Sequence, residues 1–495
     1  MSRALIERGP ASSTPVLLRV ALMLGVPFIG AITVAGTYLG KEIVITAAFV
    51  ALSLGGFLFI RPVIGIAAMT GEFLLAAYPT LLQALGFLTI NNLLGICFVV
   101  LVAGYILETR DLSFLKIKQI RILMFIGLLF WIGSMYSEVL FPMLVETRGK
   151  GKVIDKTDFM AHNFIARLVF LAFFCIFVRT RRDIKLIFIT FTIALFVAIP
   201  SALWNMASGE LNRGFRAAAS FTSGSNPNRL AMICLIEIAC WWFWMHAKPG
   251  TWRRLWGLAA IAMSVMVLLG TGSRSGLLGG GLLLLLLQTG PRSYRASTPQ
   301  LGLLFTVGFV AIVTIVPAAS WERMITFNPE KGEIAASSNK MREETVERAW
   351  QVFVDYPWTG VGIGNFREVT RQIYLDKFFR PPHNSYLWAA SEGGIFVVMT
   401  YLWLFWVTWK DIQGVRQMGH RDPELASQAE SIRVVFIMYA FFCGFADLWI
   451  NPITYVMLGQ VVTMRRYFES LPDVQPAAVL VQTRAVGRRV ARAAA

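Results

Sequence analysis

The chain has 495 residues, of which 56% are hydrophobic and only 15% charged, and its mean hydropathy is +0.60. A soluble protein needs polar surface on all sides, whereas here the polar residues fall in short islands between apolar windows of roughly 20 residues. The formal net charge of +17 comes from cations dispersed between these windows, which fits membrane topology and argues against nucleic-acid binding. Composition therefore predicts an all-α polytopic integral membrane protein.

Apolar windows recur along the whole chain and predict about 12–14 transmembrane helices, since a helix of about 20 apolar residues crosses a bilayer. The windows lie near residues 16–39, 43–60, 63–79, 87–107, 122–141, 163–178, 185–204, 229–247, 255–272, 276–288, 300–318, 385–409, 432–450 and 452–464.

The basic residues between the windows predict the topology. Arg3, Arg8 and Arg19 precede the first window and predict an uncleaved signal anchor with a cytoplasmic N-terminus. Alternate loops are also basic and should be cytoplasmic: Arg110 to Arg121, Arg179 to Lys185, Lys248 to Arg254, Arg292 to Arg295, and Lys410 to Arg421. The segment Ala319–Pro382 falls on the other side, and its nine basic residues are matched by nine acidic ones.

This topology divides the chain into four parts. The long external loop should hold an amphipathic helix that is capped by Ser337 or Ser338, stopped at Pro357 and half-buried on the outer membrane face. The basic, alanine-rich C-terminal tail should be cytoplasmic and attracted to anionic lipid. The parts are a transmembrane bundle (1–318), a large periplasmic loop (319–382), C-terminal transmembrane helices (383–466) and a basic cytoplasmic tail (467–495).

Four unusual residues gather on the external side: Arg216, Arg274, Arg342 and His383. Three arginines beside a histidine suggest an anionic group held next to a base, and the planar guanidinium suits a diphosphate. The helix that begins at Asn226-Pro227-Asn228 can offer free N–H groups to an anion. Arg342 is expected in the first turn of its helix, where the positive dipole end would add to its charge.

His383 stands between two prolines and a long apolar run. Pro381 and Pro382 stiffen the approach, and Asn384 is placed to orient the ring or to cap the following helix. Such a histidine has the right chemistry to take a proton from a sugar hydroxyl. Two alternatives stay open: His383 is simply an interfacial residue at a helix start, or His162, which is also external, is the base.

Metal-binding and nucleotide-binding motifs are missing from the sequence. It contains no Asp-x-Asp, no Gly-x-x-x-x-Gly-Lys and no His-Glu-x-x-His. Metal-dependent transfer is therefore disfavoured, no cofactor is expected, and arginines would have to neutralise a diphosphate leaving group in place of a divalent ion.

Four motifs resemble those of the O-antigen ligase and polymerase superfamily of bacterial membrane glycosyltransferases. They are the arginine followed by "NPN" (Arg216 to Asn228), "GSRSG" (Gly272 to Gly276), the Arg342 helix leading into "YPWTGVGIGNF" (Tyr356 to Phe366), and "HNSYLWAASEGG" (His383 to Gly394). Their order and spacing match the family over about Arg216 to Trp406.

The resemblance implies a GT-C-like helical fold in the bacterial inner membrane, with the active site facing the periplasm. It also implies metal-free, inverting transfer of a glycan from undecaprenyl diphosphate to an acceptor hydroxyl. The acceptor is left open between a growing glycan, lipid A core and a protein. In this interpretation Arg216, Arg274 and Arg342 hold the diphosphate and His383 activates the acceptor.

Several assignments stay open at this point. Arg213 competes with Arg216, and Arg348 with Arg342. Supporting roles fall to Asn228, Asn384, Gly362 and Glu392. Gly362 belongs to a tight loop that either closes over a substrate or is only a structural turn. Glu392 either pairs with an arginine or is a buried carboxylate whose hydrogen bonds are satisfied. The alternative function is a transporter or flippase of lipid-linked sugars, because Glu72, Glu237 and Asp447 lie within apolar windows.

Overall fold

A computed structural model describes residues 61–75, 90–140, 156–212, 215–220, 225–314, 316–325, 333–375 and 380–472. In these ranges the regular structure is helical, apart from one isolated bridge between Asn212 and Arg216. The α-helices are α1 (Pro62–Leu75), α2 (Ile90–Thr109), α3 (Lys118–Leu140), α4 (Lys156–Phe177), α5 (Arg181–Phe196), α6 (Ala198–Ala207), α7 (Pro227–His246), α8 (Thr251–Gly270), α9 (Arg274–Thr289), α10 (Thr298–Thr314), α11 (Ala318–Ile325), α12 (Glu333–Asp355), α13 (Phe366–Gln372), α14 (Ser385–Gln417), α15 (Pro423–Cys443) and α16 (Pro452–Ser470).

Seven segments within the described residues are long and apolar enough to cross a membrane. They are Lys118–Ser137, Arg181–Ala207, Pro227–His246, Thr251–Gly270, Arg292–Thr314, Ser385–Gln417 and Pro423–Cys443. The prediction of an all-α polytopic membrane protein is confirmed. The count of about 12–14 helices stays a prediction, because the windows at 16–39 and 43–60, the signal anchor and most of the basic tail lie outside the described residues.

Helix α7 forms the centre of the bundle and packs against α8 and α15. Small residues let a neighbouring helix come close to it: a Cβ added at Gly276 of α9 would lie 2.9 Å from Ala231 of α7, and one at Gly279 would lie 2.8 Å from Leu235. Membrane helices use such glycines to bring their backbones into contact. The last glycine of the "GSRSG" motif therefore has a role in helix packing, which is separate from any chemical role of the arginine in the same motif.

Ion pairs join several predicted cytoplasmic loops at one end of the bundle, which we call the basic end. The Arg181 and Lys185 side chains lie 2.5 Å from Asp422 and Glu424, respectively, and the Lys248 Nζ atom lies 3.1 Å from Glu424. Helix α7 ends beside this network, so its first turn lies at the opposite end, which we call the site end. The structure thus groups these basic loops on one side, as the charge pattern predicted.

Two predicted boundaries are wrong. Helix α12 begins at Glu333, ahead of the expected caps Ser337 and Ser338, because the intervening Ile-Ala-Ala continues the helix. Arg342 is therefore the tenth residue of α12 and gains nothing from the N-terminal dipole. The face that α12 buries includes Thr345, Ala349 and Val352, whereas Trp350 is exposed.

The predicted window at 432–450 is also too long. Helix α15 ends at Cys443, and the loop of residues 444–451 follows it before Asn451 caps α16. Asp447 therefore lies in a loop and not within a membrane helix. Gly444 and the Asn-Pro pair at Asn451 are ordinary helix-end and helix-start signals, and they mark this boundary in the sequence.

Candidate active site

A cavity of about 280 Å³ opens at the site end of the bundle. Three arginines and one histidine supply its ionisable groups, and none of the described lining residues is a carboxylate. The lining residues are Asn212, Arg216, Ser225, Asn226, Pro227, Asn228, Met341, Arg342, Arg380 and His383. The structure therefore brings together Arg216, Arg342, His383 and Asn228, which the sequence singled out from distant parts of the chain.

Arg216 forms one wall of the cavity, and two hydrogen bonds hold its guanidinium in place. Its Nε atom donates to the Thr271 carbonyl at 2.7 Å, and one terminal nitrogen donates to the Asn228 Oδ1 atom at 2.9 Å. Arg216 as a whole is only 5% exposed, so its charge is held in place by the protein instead of moving freely in water. The competing Arg213 lies outside the described residues.

The "NPN" motif explains how α7 starts at this wall. The Asn226 side chain caps the helix by accepting from the backbone N–H of Asn228 at 2.9 Å, and Pro227 takes the first helical position, where no N–H is needed. Asn228 then turns its side-chain oxygen to Arg216 and also accepts from the Ser273 hydroxyl at 3.0 Å. One asparagine thus joins the start of α7, the Arg216 segment and the turn before α9.

Arg274 opens α9, and its neighbour Ser273 caps that helix by accepting from the Gly276 N–H at 3.2 Å. Arg274 is partly buried but is not among the residues that line the cavity. The Ser273 hydroxyl donates to Asn228, and Asn228 in turn accepts from Arg216. Arg274 is the next residue after Ser273, so it lies close to the part of the cavity wall that Arg216 forms. The structure therefore places the third predicted arginine beside the cavity wall and not on it.

His383 lines the cavity in an uncommon backbone conformation, with a φ of 53°. Such a left-handed φ is rare for residues other than glycine and is typical of functional sites. Asn384 caps α14, as predicted, by accepting from the N–H groups of Tyr386 and Leu387 at 3.0 and 3.1 Å. The approach through Pro381 and Pro382 and this cap fix the position of the histidine from both sides.

The His383 Nδ1 atom lies 2.9 Å from the Asp447 Oδ2 atom. Because a carboxylate only accepts hydrogen bonds, it favours the tautomer with the proton on Nδ1, which leaves Nε2 as the basic nitrogen. From the sequence, Asp447 was noted only as a carboxylate within an apolar window and was not connected with His383. Its pairing with a histidine 64 positions away is a tertiary contact that one sequence does not reveal.

Arg342 and Arg380 line the cavity and belong to residues 319–382, the segment that was predicted to be external. Arg342 comes from α12, whereas Arg380 directly precedes the two prolines before His383, and its Nη1 atom lies 3.1 Å from the Met341 sulfur. Arg380 was not predicted, although its place next to "PPH" could have indicated it. Arg348, the alternative to Arg342, stacks its guanidinium on the Tyr374 ring and is not among the lining residues.

The predicted supporting residues Gly362 and Glu392 lie in a joint and not in the cavity wall. We call residues 356–366 the glycine loop. It inserts into α14 where that helix kinks at Gly394: the Gly362 N–H donates to the Glu392 carbonyl at 2.9 Å, and the Ile395 N–H donates to the Pro357 carbonyl at 2.7 Å. The glycine loop and "SEGG" are thus two halves of one contact.

Arg367, which directly follows the glycine loop, is a positively charged residue that interacts with this joint. Burial lowers the pKa of the Arg367 guanidinium, and the negative charges of Asp447 and Glu392 oppose that shift. The buried Glu392 carboxylate accepts from the Phe366 N–H at 3.4 Å, and the Arg367 charge acts on it. Arg367 therefore interacts electrostatically with both the carboxylate of the joint, Glu392, and the carboxylate that contacts His383, Asp447.

The fold and cavity define a class: a polytopic helical membrane protein with a cationic cavity and a histidine–aspartate pair at one end of its bundle. Residues 258–402, less than a third of the chain, match the O-antigen ligase family. The match confirms the resemblance to the O-antigen ligase and polymerase superfamily. It includes Arg274, Arg342 and His383, whereas Arg216 and Asp447 lie outside it. No curated protein matches the chain.

Proposed function

We propose that the protein is a metal-independent, inverting glycosyltransferase that moves a glycan from undecaprenyl diphosphate to an acceptor hydroxyl at the periplasmic face of the bacterial inner membrane. The observation that carries the proposal is the single cavity in which three arginines face a histidine whose other ring nitrogen contacts an aspartate. The family match supports the glycosyltransferase class, and the separation of the cavity from the basic end supports the periplasmic side.

In the proposed reaction, His383 acts as the general base and the diphosphate is the leaving group. The His383 Nε2 atom takes the proton of the acceptor hydroxyl, and that oxygen forms a bond to the anomeric carbon of the donor sugar. The bond between this carbon and the diphosphate oxygen breaks, and the diphosphate leaves with the electron pair. Attack opposite the leaving group inverts the anomeric configuration. Asp447 stabilises the charge that His383 gains.

The arginines take the role that a divalent cation has in other glycosyl transfers. Arg216, Arg342 and Arg380 line the cavity, and Arg274 lies beside its wall, so they would neutralise the diphosphate as its charge grows. The first turn of α7 adds N–H groups and a positive dipole end. None of the described lining residues is a carboxylate, the side chain that usually holds Mg²⁺ beside a phosphate, and this supports the proposal of metal-independent transfer.

The test is transfer by purified protein in the presence of a chelator, with a short glycan on a polyprenyl diphosphate as donor and a glycan, lipid A core or peptide as acceptor. Wild type should form product, whereas His383→Ala and Arg216→Ala should lose nearly all of it. Arg254→Ala, an exposed arginine at the start of α8, is the matched control and should behave as wild type. Equal product from all four proteins would refute the site; product size separates ligation from polymerisation.

A transporter or flippase of lipid-linked sugars is the second candidate, and buried Glu237 is the observation that favours it. Its Oε2 atom accepts from the Trp241 indole at 2.9 Å, whereas Oε1 accepts no hydrogen bond from the described residues. The case is weaker than the sequence suggested, because Asp447 lies in a loop. Movement of labelled lipid-linked sugar across vesicles without bond cleavage would favour transport over transfer.

A further inference from the structure

Ser385 holds the backbone on both sides of Asp447. The Ser385 hydroxyl donates to the Ala446 carbonyl at 2.6 Å and accepts from the Leu448 N–H at 2.7 Å. The side chain is fully buried, so water does not replace either bond. One hydroxyl thus spans the residue that contacts His383, and this hydroxyl stands only two positions after His383 in the chain.

We propose that Ser385 is a positioning residue that sets the orientation of the Asp447 carboxylate and, through it, the tautomer and placement of the His383 ring. The catalytic consequence rests on the proposed function, whereas the geometric claim does not need transfer to be tested. In "HNS", the histidine then faces the cavity, the asparagine caps α14, and the serine ties the histidine segment to the loop of residues 444–451.

The orientation of Asp447 depends on its backbone because only one of its carboxylate oxygens has a hydrogen-bond partner among the described residues, while Arg367 acts on the carboxylate through its charge. Oδ2 contacts His383, whereas the buried Oδ1 atom accepts no hydrogen bond from the described residues. The backbone sets the position and direction of the Cα–Cβ bond, and with it the place from which the carboxylate reaches the His383 ring. The two hydrogen bonds to Ser385 are made by Ala446 and Leu448, the residues directly before and after Asp447. They therefore hold the backbone at Asp447 itself.

Other contacts hold the rest of the loop, so the loss of Ser385 should not unfold it. The Tyr439 hydroxyl donates to the Leu448 carbonyl, Arg167 of α4 donates to the Ile450 carbonyl, and Asn451 caps α16. These anchors stay in place when the serine hydroxyl is removed. A local change at Asp447 is therefore expected, and the effect of Ser385 can be separated from a general loss of structure.

The first experiment reads the His383 ring directly, by nitrogen NMR of histidine-labelled full-length protein in lipid nanodiscs. The chain has four histidines, and the His383 signals are those lost in His383→Gln. Ser385→Ala should shift these signals toward their positions in Asp447→Asn. Ser427→Ala is the matched control, because Ser427 is a buried serine that bonds only within its own helix at the basic end, and it should leave the His383 signals unchanged.

Unchanged His383 signals in Ser385→Ala would overturn the proposal, whether or not the protein transfers glycans. Ser385→Cys serves if the alanine variant does not fold, since it fills the same space but cannot make both short bonds, and the same shift is expected. Failure of the proposed function would instead appear as wild-type protein that forms no product while its His383 signals still respond to Ser385→Ala.

The second experiment is a double-mutant cycle that measures the kcat of glycan transfer for Ser385→Ala, Asp447→Asn and the double variant. A serine with a purely structural role would not give the result that we expect. Ser385→Ala should lower kcat by up to about 100-fold, the cost of a misplacement of about 1 Å, with little change in the donor KM. In the Asp447→Asn background the same substitution should have almost no further effect, because its target is already lost. A further loss of the same factor there would refute the role of Asp447 as the intermediary.

Discussion

At the scale of single residues, the Asp447 carboxylate decides which nitrogen of the His383 ring can accept a proton, through its 2.9 Å contact with Nδ1. Asp447→Asn keeps the shape but removes the charge, and the amide can present either a donor or an acceptor to the ring. We expect kcat to fall about 100-fold or more, within the range of general-base contributions, while the donor KM stays near the wild-type value. Steady-state transfer kinetics measure both.

The control for this charge change is Asp183→Asn. Asp183 belongs to the capping box at the start of α5, at the basic end, where asparagine also serves as a helix-terminal acceptor. Its variant should transfer at the wild-type rate. If Asp447→Asn transferred equally well, the aspartate would be a structural partner of His383 and the tautomer argument would fail.

Asn228 should affect donor binding more than chemistry, because its oxygen supports the Arg216 guanidinium at 2.9 Å and the donor diphosphate is already charged before its bond breaks. Asn228→Ala removes one hydrogen bond to a charged group, worth about 1.5–3 kcal/mol, and leaves Arg216 less firmly held, although its bond to the Thr271 carbonyl remains. The donor KM should therefore rise about tenfold or more. Transfer measured over a range of donor concentrations tests this, and a lower kcat at unchanged KM would contradict it.

At the scale of elements, the glycine loop and the kink of α14 form a joint that only glycine fits. Gly394 has a φ of 68°, and a Cβ there would overlap the carbonyl group of Trp358. Gly394→Ala should therefore lower the free energy of unfolding by more than about 1 kcal/mol, through both the left-handed φ and the overlap. Thermal unfolding in detergent, together with the yield of folded protein, measures this loss.

Gly281→Ala is the matched control for the joint. Gly281 lies inside α9, and no atom stands within 4 Å of the Cβ that alanine would add. Alanine is the better helix former by about 1 kcal/mol, so this variant should be as stable as wild type or more so. Equal melting temperatures for the two variants would mean that α14 straightens at little cost and that the joint is not required.

The elements also explain what one sequence predicts and what it does not. Apolar periodicity predicts most helices, and arginines or a histidine outside them stand out by their chemistry. Of the four residues singled out in this way, Arg216, Arg342 and His383 line one cavity, whereas Arg274 does not. The contact of Asp447 with His383 was missed because the predicted apolar window ran past Gly444, which placed Asp447 inside a membrane helix. The joint between Gly362 and Glu392 was missed because backbone pairing between distant segments leaves no pattern in either.

At the scale of the whole molecule, the two ends of the bundle differ in charge chemistry. The basic end pairs its cations with Asp422 and Glu424, whereas the site end presents arginines to a cavity whose described lining holds no carboxylate. The positive-inside rule predicts that the basic end is cytoplasmic, and the cavity at the opposite end would then face the periplasm, as proposed. A membrane-bound donor that is presented on the outer leaflet could then reach the arginines without crossing the bilayer.

Single cysteines test this orientation directly. Glu210→Cys lies at the site end and Gly250→Cys at the basic end, both at exposed positions, whereas native Cys175, Cys234 and Cys443 are buried. In spheroplasts of a bacterial host, a membrane-impermeant maleimide should label the cysteine at 210 and reach the one at 250 only after lysis. The reverse pattern would place His383 in the cytoplasm, where a donor on the outer leaflet cannot reach it, and the proposed reaction would fail with the topology.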